Sequence, residues 1–443
     1  MSEVSEAPSR PLTVLFMPES AYGPTNQCIG VGDVLRRRGH RVVFAAEASW
    51  RGKLAPLGFE EDLVDLAPPA PPGAGDQDPG QFWKDFIKQT APEFRKPTID
   101  QLGTFFQPTF QALIDGAKYC EPQLRDIIAR NRPDVIVEDN VVTFPALLTG
   151  EGAYVRIVSC NPLEVRGTGL PPTFAGYPVD DSSEWDAFRA EYDRTHRAMW
   201  EDFDSWVQEQ GAPPLADLEF MHKSRHANLY VYPEELDYTA IRPLGSTWHR
   251  IDSSVRETDE PFPLPEAVAD RPEGSALVYL SLGSLGSADV DLMKRLVDVL
   301  GRTPHRYIVS MGPQHDQYEL ADNMWGAEFL PQTRVVPQVD LVITHGGNNT
   351  TTEAMHFGKP MIVLPLFWDQ YDNAQRVDET GYGVRLPTYA FTDADMLGAL
   401  DRLLGDAVLR ERLAATGAAI RDRQGLQKAA DVIGSVGAAH AAS

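Results

Sequence analysis

The sequence predicts an α/β protein of two doubly wound domains, each a parallel sheet flanked by helices, facing each other across a cleft. Three observations predict it. Short apolar runs alternate with helical periodicity in two separate series along the 443 residues. A charged, proline-bearing segment at 246–274, with little periodicity, stands between the two series. Glycine-rich and polar turns follow several of the apolar runs, at the carboxyl ends of strands where open parallel sheets bind ligands.

The first series opens with "LTVLFMPES", a buried strand, after a polar leader at 1–10 that reads as disordered. "IGVGDVLRRRGH" follows as a helix stopped by Gly39, and "RVVFAAE" as the next strand, completing a strand–helix–strand unit. Residues 66–80 form a Pro/Gly-rich loop. Phe82, Trp83, Phe86, Phe94, Phe105, Phe106 and Phe110 then recur at spacings that make most of them core, the remainder lining an apolar cleft. "PDVIVEDN" and "YVRIVSCNP" are strands, and the segment 183–210 is an amphipathic helix. In the second series "ALVYLSLGS", "HRYIVSMG", "AEFLPQ", "DLVITHGG", "PMIVLPL" and "YGVRL" are strands, with helices at "VDLMKRLVDVLG", "TTTEAMHFG" and "QYDNAQRVDETG". Helical patterns run from about Asp393 onward.

Composition narrows the partners. Sixty-four acidic against 40 basic side chains give a formal charge of −24, which repels nucleic acid and anionic lipid. Neither a signal peptide nor an apolar run long enough to span a membrane is visible, so a cytoplasmic location is expected. Cys28, Cys120 and Cys160 are far apart and suit reduced thiols. Without clustered His/Cys spacing or an Asp-x-Asp pair, no metal or cofactor is expected. The oligomeric state is not written in the sequence.

An acidic protein that binds an anion needs a local positive device, and "VITHGGNNTTTEAMHFGKP" (342–360) supplies one. The strand delivers His345; Gly346 and Gly347 let backbone approach a ligand; Asn348, Asn349 and Thr350 open a helix whose free N–H groups suit a phosphate. The same residues also read as an ordinary turn, with Thr350 and Glu353 forming a capping box. "SLGSLGS" (281–287) and "FWDQYDN" (367–373) lie at comparable strand ends.

The stretch 329–375, "FLPQTRVVPQVDLVITHGGNNTTTEAMHFGKPMIVLPLFWDQYDNAQ", resembles the nucleotide-sugar signature of the family-1, UDP-dependent glycosyltransferases of GT-B fold. The resemblance implies an acceptor-binding domain at 11–245, a linker at 246–274, a nucleotide-sugar domain at 275–425 and a C-terminal helix and tail at 426–443 that crosses back to the first domain. Phe329 takes the place of the tryptophan that stacks on the base, Leu330 reads the base edge through its backbone, and Gln332 supports the nucleoside. His345, Gly347, Asn349 and Thr350 hold the diphosphate, with Ser284 reaching it from the other loop. Glu353 accepts from the ribose diol, which favours UDP over a deoxyribonucleotide, and Asp369 and Gln370 hold the sugar hydroxyls, which suggests glucose. Asp369 also suits an N-cap.

The resemblance fails at one place. "YGPTNQ" (22–27) puts Pro24 where the family carries its catalytic histidine, while Asp139 matches the histidine's partner. Asp139 is then the expected catalytic residue, as base or through a water; alternatively the acceptor is already nucleophilic, or the protein binds nucleotide sugar without turnover. The expected activity is inverting transfer of glucose from a UDP-sugar to a small apolar acceptor, with a dTDP-sugar as the alternative donor. A dinucleotide-dependent dehydrogenase is disfavoured, since "GVGDVL" lacks the third glycine of that fingerprint.

Overall fold

A computed structural model describes residues 10–68 and 90–442. The leader apart from Arg10, most of the 66–80 loop, and Phe82, Trp83 and Phe86 lie outside the described residues. Arg10 itself is anchored, its guanidinium 2.6 Å from the Asp134 carboxylate.

Two parallel sheets organise the chain. The first contains β1 (Thr13–Pro18), β2 (Arg41–Phe44), β3 (Glu60–Glu61), β4 (Val135–Asp139), β5 (Ala153–Val158), β6 (Ala227–Val231) and β7 (Trp248–Ile251), in the spatial order β3-β2-β1-β4-β5-β6-β7. The second contains β8 (Leu277–Ser281), β9 (Arg306–Ser310), β10 (Met324–Ala327), β11 (Leu341–Thr344), β12 (Met361–Val363) and β13 (Gly383–Arg385), in the order β10-β9-β8-β11-β12-β13. Both orders reverse direction beside the first strand of their sheet, between β1 and β4 and between β8 and β11. Those are the switch points where ligands enter such sheets. β4 and β11 are buried along their whole length, their apolar starts "VIV" and "LVI" leading to polar residues at the strand ends.

Five helices position the cleft and its supports: α1 (Tyr22–Arg37), α2 (Gln107–Asn131), α3 (Asn348–His356), α4 (Gln370–Glu379) and α5 (Gly425–Ala441). Helix α1 begins at Tyr22, earlier than the expected Ile29, so "YGPTNQ" is its first turn rather than a loop. Pro24 is tolerated there because the first N–H groups of a helix have no intrahelical partner to lose. Helix α5 packs on the outer face of the first sheet, with Ala429, Ala430 and Ile433 in one apolar cluster with Leu12, Val14 and Val135. A Cβ at Gly437 would lie 2.7 Å from both Leu12 and Val135, so only glycine lets the helix seat this closely. The chain reaches α5 through Gln424, held in the left-handed region at φ 48°.

Two boundaries move. The expected linker at 246–274 contains β7, which pairs with β6 and closes the first sheet. β10 ends at Ala327, which leaves Phe329 and Leu330 in a loop instead of the expected strand. Phe94, Phe105, Phe106 and Phe110 are core, as their spacing predicts.

Polar side chains, not only apolar ones, join the two halves. The Asn348 amide donates to the carbonyls of Ser159 (2.7 Å) and Val231 (2.9 Å). The Asp372 carboxylate accepts from the N–H groups of Phe174 and Gly176, at 2.6 and 2.9 Å. Arg376 donates to the carbonyls of Leu236 and Asp237, at 2.7 and 2.8 Å.

Candidate active site

A cleft of about 730 Å³ lies between the two sheets. Of the residues singled out in the sequence, Asp139, Ser284, Phe329, Leu330, Gln332, His345, Gly347, Asn349, Thr350, Asp369 and Gln370 all line it. Glu353 does not.

The phosphate-binding device is built as its residue types require. β11 ends at Thr344 and presents His345 to the cleft. Gly346 sits at φ +84°, and a Cβ there would lie 2.6 Å from Val363. The imidazole packs between two glycines: a Cβ at Gly283 would come within 2.9 Å of the ring, and one at Gly347 within 2.6 Å of Nε2. Burial pushes the His345 pKa down to about 4, so the ring is neutral near pH 7. A neutral imidazole donates one N–H to an anion without carrying charge. Gly347 is the N-cap of α3 and the first intrahelical bond runs from Thr351 N–H to its carbonyl (3.0 Å). The N–H groups of Asn348, Asn349 and Thr350 therefore precede the hydrogen-bonded ladder and face the helix's positive end.

On one side of this device the Phe329 ring is half exposed, 6.2 Å from the ring of Tyr22 across the cleft. On the other side, Gln370 Oε1 accepts from the N–H groups of Leu366 and Phe367, which leaves its amide nitrogen to donate. Asp369 precedes α4 but does not cap it; its Oδ2 accepts from Asn161 N–H (2.8 Å) in the first half of the chain. Trp368 just before it adopts φ +59°, a conformation costly for a bulky side chain, and is held there by stacking with Phe106 and Phe110 at 5.3 and 5.2 Å.

Comparison with known proteins agrees with this geometry. Residues 223–424 match the family model for UDP-glucoronosyl and UDP-glucosyl transferase. The oleandomycin glycosyltransferase of Streptomyces antibioticus is 27% identical over 429 residues, covering 96% of this chain and 90% of that protein. The second half of the chain is thus similar to this glycosyltransferase family, and the whole chain to one of its named relatives. The crystal structure of the kitacinnamycin glycosyltransferase superposes with a TM-score of 0.69 at 21% identity, over 96% of this chain and 99% of that one. The glycosyltransferase VinC, solved in complex with dTDP, gives a TM-score of 0.60 at 16% identity, over 95% of this chain and all of that one. These solved structures share the GT-B fold, with two Rossmann-like domains across a cleft.

Two expectations change at this site. No capping box forms at α3, because its N-cap is Gly347, which has no side chain, and Thr350 lies inside the helix. The Glu353 carboxylate accepts from the Gln332 amide (2.7 Å) and the Asn349 amide (3.1 Å), with the Arg256 guanidinium 3.6 Å away. The side chain has no exposed surface. Burial pushes its pKa up, and Arg256 opposes the shift. Glu353 thus stands behind Gln332 as a positioning residue, rather than at the cleft surface where a ribose diol would reach it.

The second change concerns Asp139. It ends β4 at the cleft but is only 3% exposed. Oδ1 accepts from the Ser159 hydroxyl (2.9 Å), and Oδ2 faces the Cys28 thiol at 3.8 Å. Burial drives its pKa well above the ordinary carboxylate range, against the Ser159 bond. A group so enclosed is a poor candidate for direct proton abstraction. Pro24 lines the same corner and brings no titratable group.

The sequence reading passed over several residues that line the cleft. Glu19, after β1, and Trp50 come from the first half. Arg256 and Asp259, paired at 2.8 Å, come from the segment read as linker, where nothing in the local pattern marks them. Phe367 and Trp368 stood in a quoted loop, and their large apolar rings beside "DQ" were the available signal.

Proposed function

We propose that the protein transfers glucose from UDP-glucose to a small apolar acceptor, with inversion at the anomeric carbon. The observation that carries the reading is the convergence of His345 and the unpaired N–H groups of α3 on one cleft, with an exposed aromatic ring on one side and Asp369 with Gln370 on the other. The diphosphate lies at the helix end, where N–H groups and Ser284 meet the charge that develops as the leaving group departs. The base stacks on Phe329, and the sugar meets Asp369 and Gln370. The acceptor sits against Phe105, Phe367 and Trp368, a wall that suits an apolar, ring-bearing molecule. The name of the macrolide-modifying relative from Streptomyces antibioticus supports this class of acceptor. Buried or half-buried free thiols at Cys28, Cys120 and Cys160 suit a cytoplasmic protein. No metal is assigned to the transfer.

A dTDP-sugar is the second reading, and the position of Glu353 allows it. With the carboxylate held by Gln332, Asn349 and Arg256, no buried acceptor is left unpaired by a 2′-deoxyribose. The test is mass spectrometry of products from UDP-glucose and dTDP-glucose, each with a panel of phenols, alcohols and amines. A glucoside formed from UDP-glucose, at least tenfold faster than from dTDP-glucose, supports the first reading. The reverse order transfers the assignment to the second. Both nucleotides bound with no glucoside from either removes glucose as the transferred sugar.

A further inference from the structure

We propose that Glu19 is the general base of the transfer, taking the acceptor hydroxyl's proton in place of the histidine that Pro24 displaces. The inference rests on the transferase reading above and goes beyond it by naming the proton acceptor.

Glu19 follows the last residue of β1, and its N–H donates to the Asp139 carbonyl at 2.7 Å. The two carboxylates therefore stand at matched ends of adjacent strands, at the switch point of the first sheet. They differ in access. Asp139 is sealed behind Ser159 and Cys28, whereas Glu19 is only half-buried and lines the cleft. Its two oxygens are oriented without being neutralised: Oε1 accepts from the Ser20 hydroxyl (3.0 Å) and Oε2 from Ala21 N–H (2.9 Å). Among the described residues it forms no ion pair with lysine or arginine. The loop carrying it is fixed by the Trp50 indole, which donates to the Ser20 carbonyl at 2.9 Å.

The loop also faces the donor. A Cβ at Gly23 would lie 4.0 Å from that of Asn349, so the first turn of α1 meets the phosphate-binding end of α3 across the cleft. One turn further along α1, Gln27 lines the same cleft at 1% exposure, and neither its amide oxygen nor its nitrogen has a partner among the described residues. A buried amide with both ends unpaired is costly. A hydroxylated acceptor lying between Glu19 and the donor would satisfy it. Burial raises the Glu19 pKa from its ordinary value, against the bonds from Ala21 and Ser20, which brings its basicity closer to what a proton acceptor near neutral pH needs.

In the step itself the acceptor O–H proton passes to Glu19. The acceptor oxygen bonds to the anomeric carbon from the face opposite the nucleotide. The bond from that carbon to the phosphate oxygen breaks, and its electron pair leaves with the diphosphate. Glu19 afterwards returns its proton to water.

The test compares wild type, Glu19→Ala and Glu19→Gln with an aliphatic alcohol and with an acidic phenol, using whichever of UDP-glucose or dTDP-glucose the wild type accepts. Glu19→Ala should lose about 10²–10⁴-fold in kcat on the alcohol. It should lose about tenfold or less on the phenol, which ionises without help. Added formate should restore turnover of the alcohol, which a merely structural defect would not allow. Nucleotide affinity by calorimetry should stay within about twofold of wild type, and Glu19→Gln, which keeps an oxygen to accept from Ala21 N–H and an amide that can donate to the Ser20 hydroxyl, should show the same pattern if the alanine variant does not fold. Equal losses on both acceptors without formate rescue, or unchanged turnover of the alcohol, overturn the assignment. A wild type that transfers glucose from neither nucleotide overturns the glucosyl-transfer reading on which the base assignment rests, and that result is visible before any variant is made.

Discussion

The two walls of the cleft are built on different principles. The donor wall is backbone and small residues: a helix end, two glycines packed against one imidazole, and a single exposed ring. The acceptor wall is bulk: Phe105, Phe367 and Trp368, with the enclosed carboxylate of Asp139 and the more open one of Glu19 at its edge. A diphosphate has fixed geometry and charge, so the wall that meets it is rigid, with dipoles already oriented. An apolar acceptor is recognised by shape, and many side-chain combinations can provide a shape.

Substitutions should separate the two walls. On the proposed reading His345 donates to the leaving diphosphate, so His345→Ala should cost about 10²–10³-fold in kcat, read in steady-state kinetics at saturating acceptor. Gly347→Ala places a methyl 2.6 Å from His345 Nε2, and displacing the ring should cost about tenfold to hundredfold in kcat/KM for the donor with little change in Tm. If Gly347→Ala matches wild type, the donor wall is less rigid than drawn here. Phe329→Ala should weaken nucleotide binding by about 1–3 kcal/mol in calorimetry, since it removes the stacking surface and nothing else. Glu353→Gln should leave the ratio of UDP to dTDP affinity within about twofold of wild type, because the carboxylate does not meet the ribose; a collapse of UDP binding alone would restore the direct contact.

The smallest expected effect is one of pH. Burial raises the Asp369 pKa to about 7, against the Asn161 bond. The folded protein then holds a proton that the unfolded chain, with its ordinary value near 3.9, has released. Asp369 therefore favours the fold below about pH 4–5, and that contribution is lost as pH rises to about 7. Thermal melts from pH 4.5 to 8 should show a shallower decline in Asp369→Asn than in wild type.

The two walls also differ in how far the sequence shows them. The donor wall comes almost entirely from one continuous stretch, 329–375, in which strand ends, glycines and a helix start fall at fixed spacing, so the residue types can be read as a unit. Even there, the burial of Glu353 is not legible, because Arg256, which helps to hold it, comes from a segment with no periodicity of its own. The acceptor wall joins residues near 19, 50, 105, 139 and 368, and no local rule brings such distant positions together. The alternation of strands and helices was legible because each element carries its own pattern. β7 was not: Trp248–Ile251 is only partly buried and sits among charges, so its strand character comes from pairing with β6 rather than from its own sequence.

Helix α5 has a consequence for how the protein is made. It is synthesised after the second sheet, yet Ala429, Ala430 and Ile433 cover apolar surface on the first. While the ribosome translates the second sheet, Leu12, Val14 and Val135 wait with one flank open, so the nascent first sheet remains prone to aggregation until α5 emerges and docks.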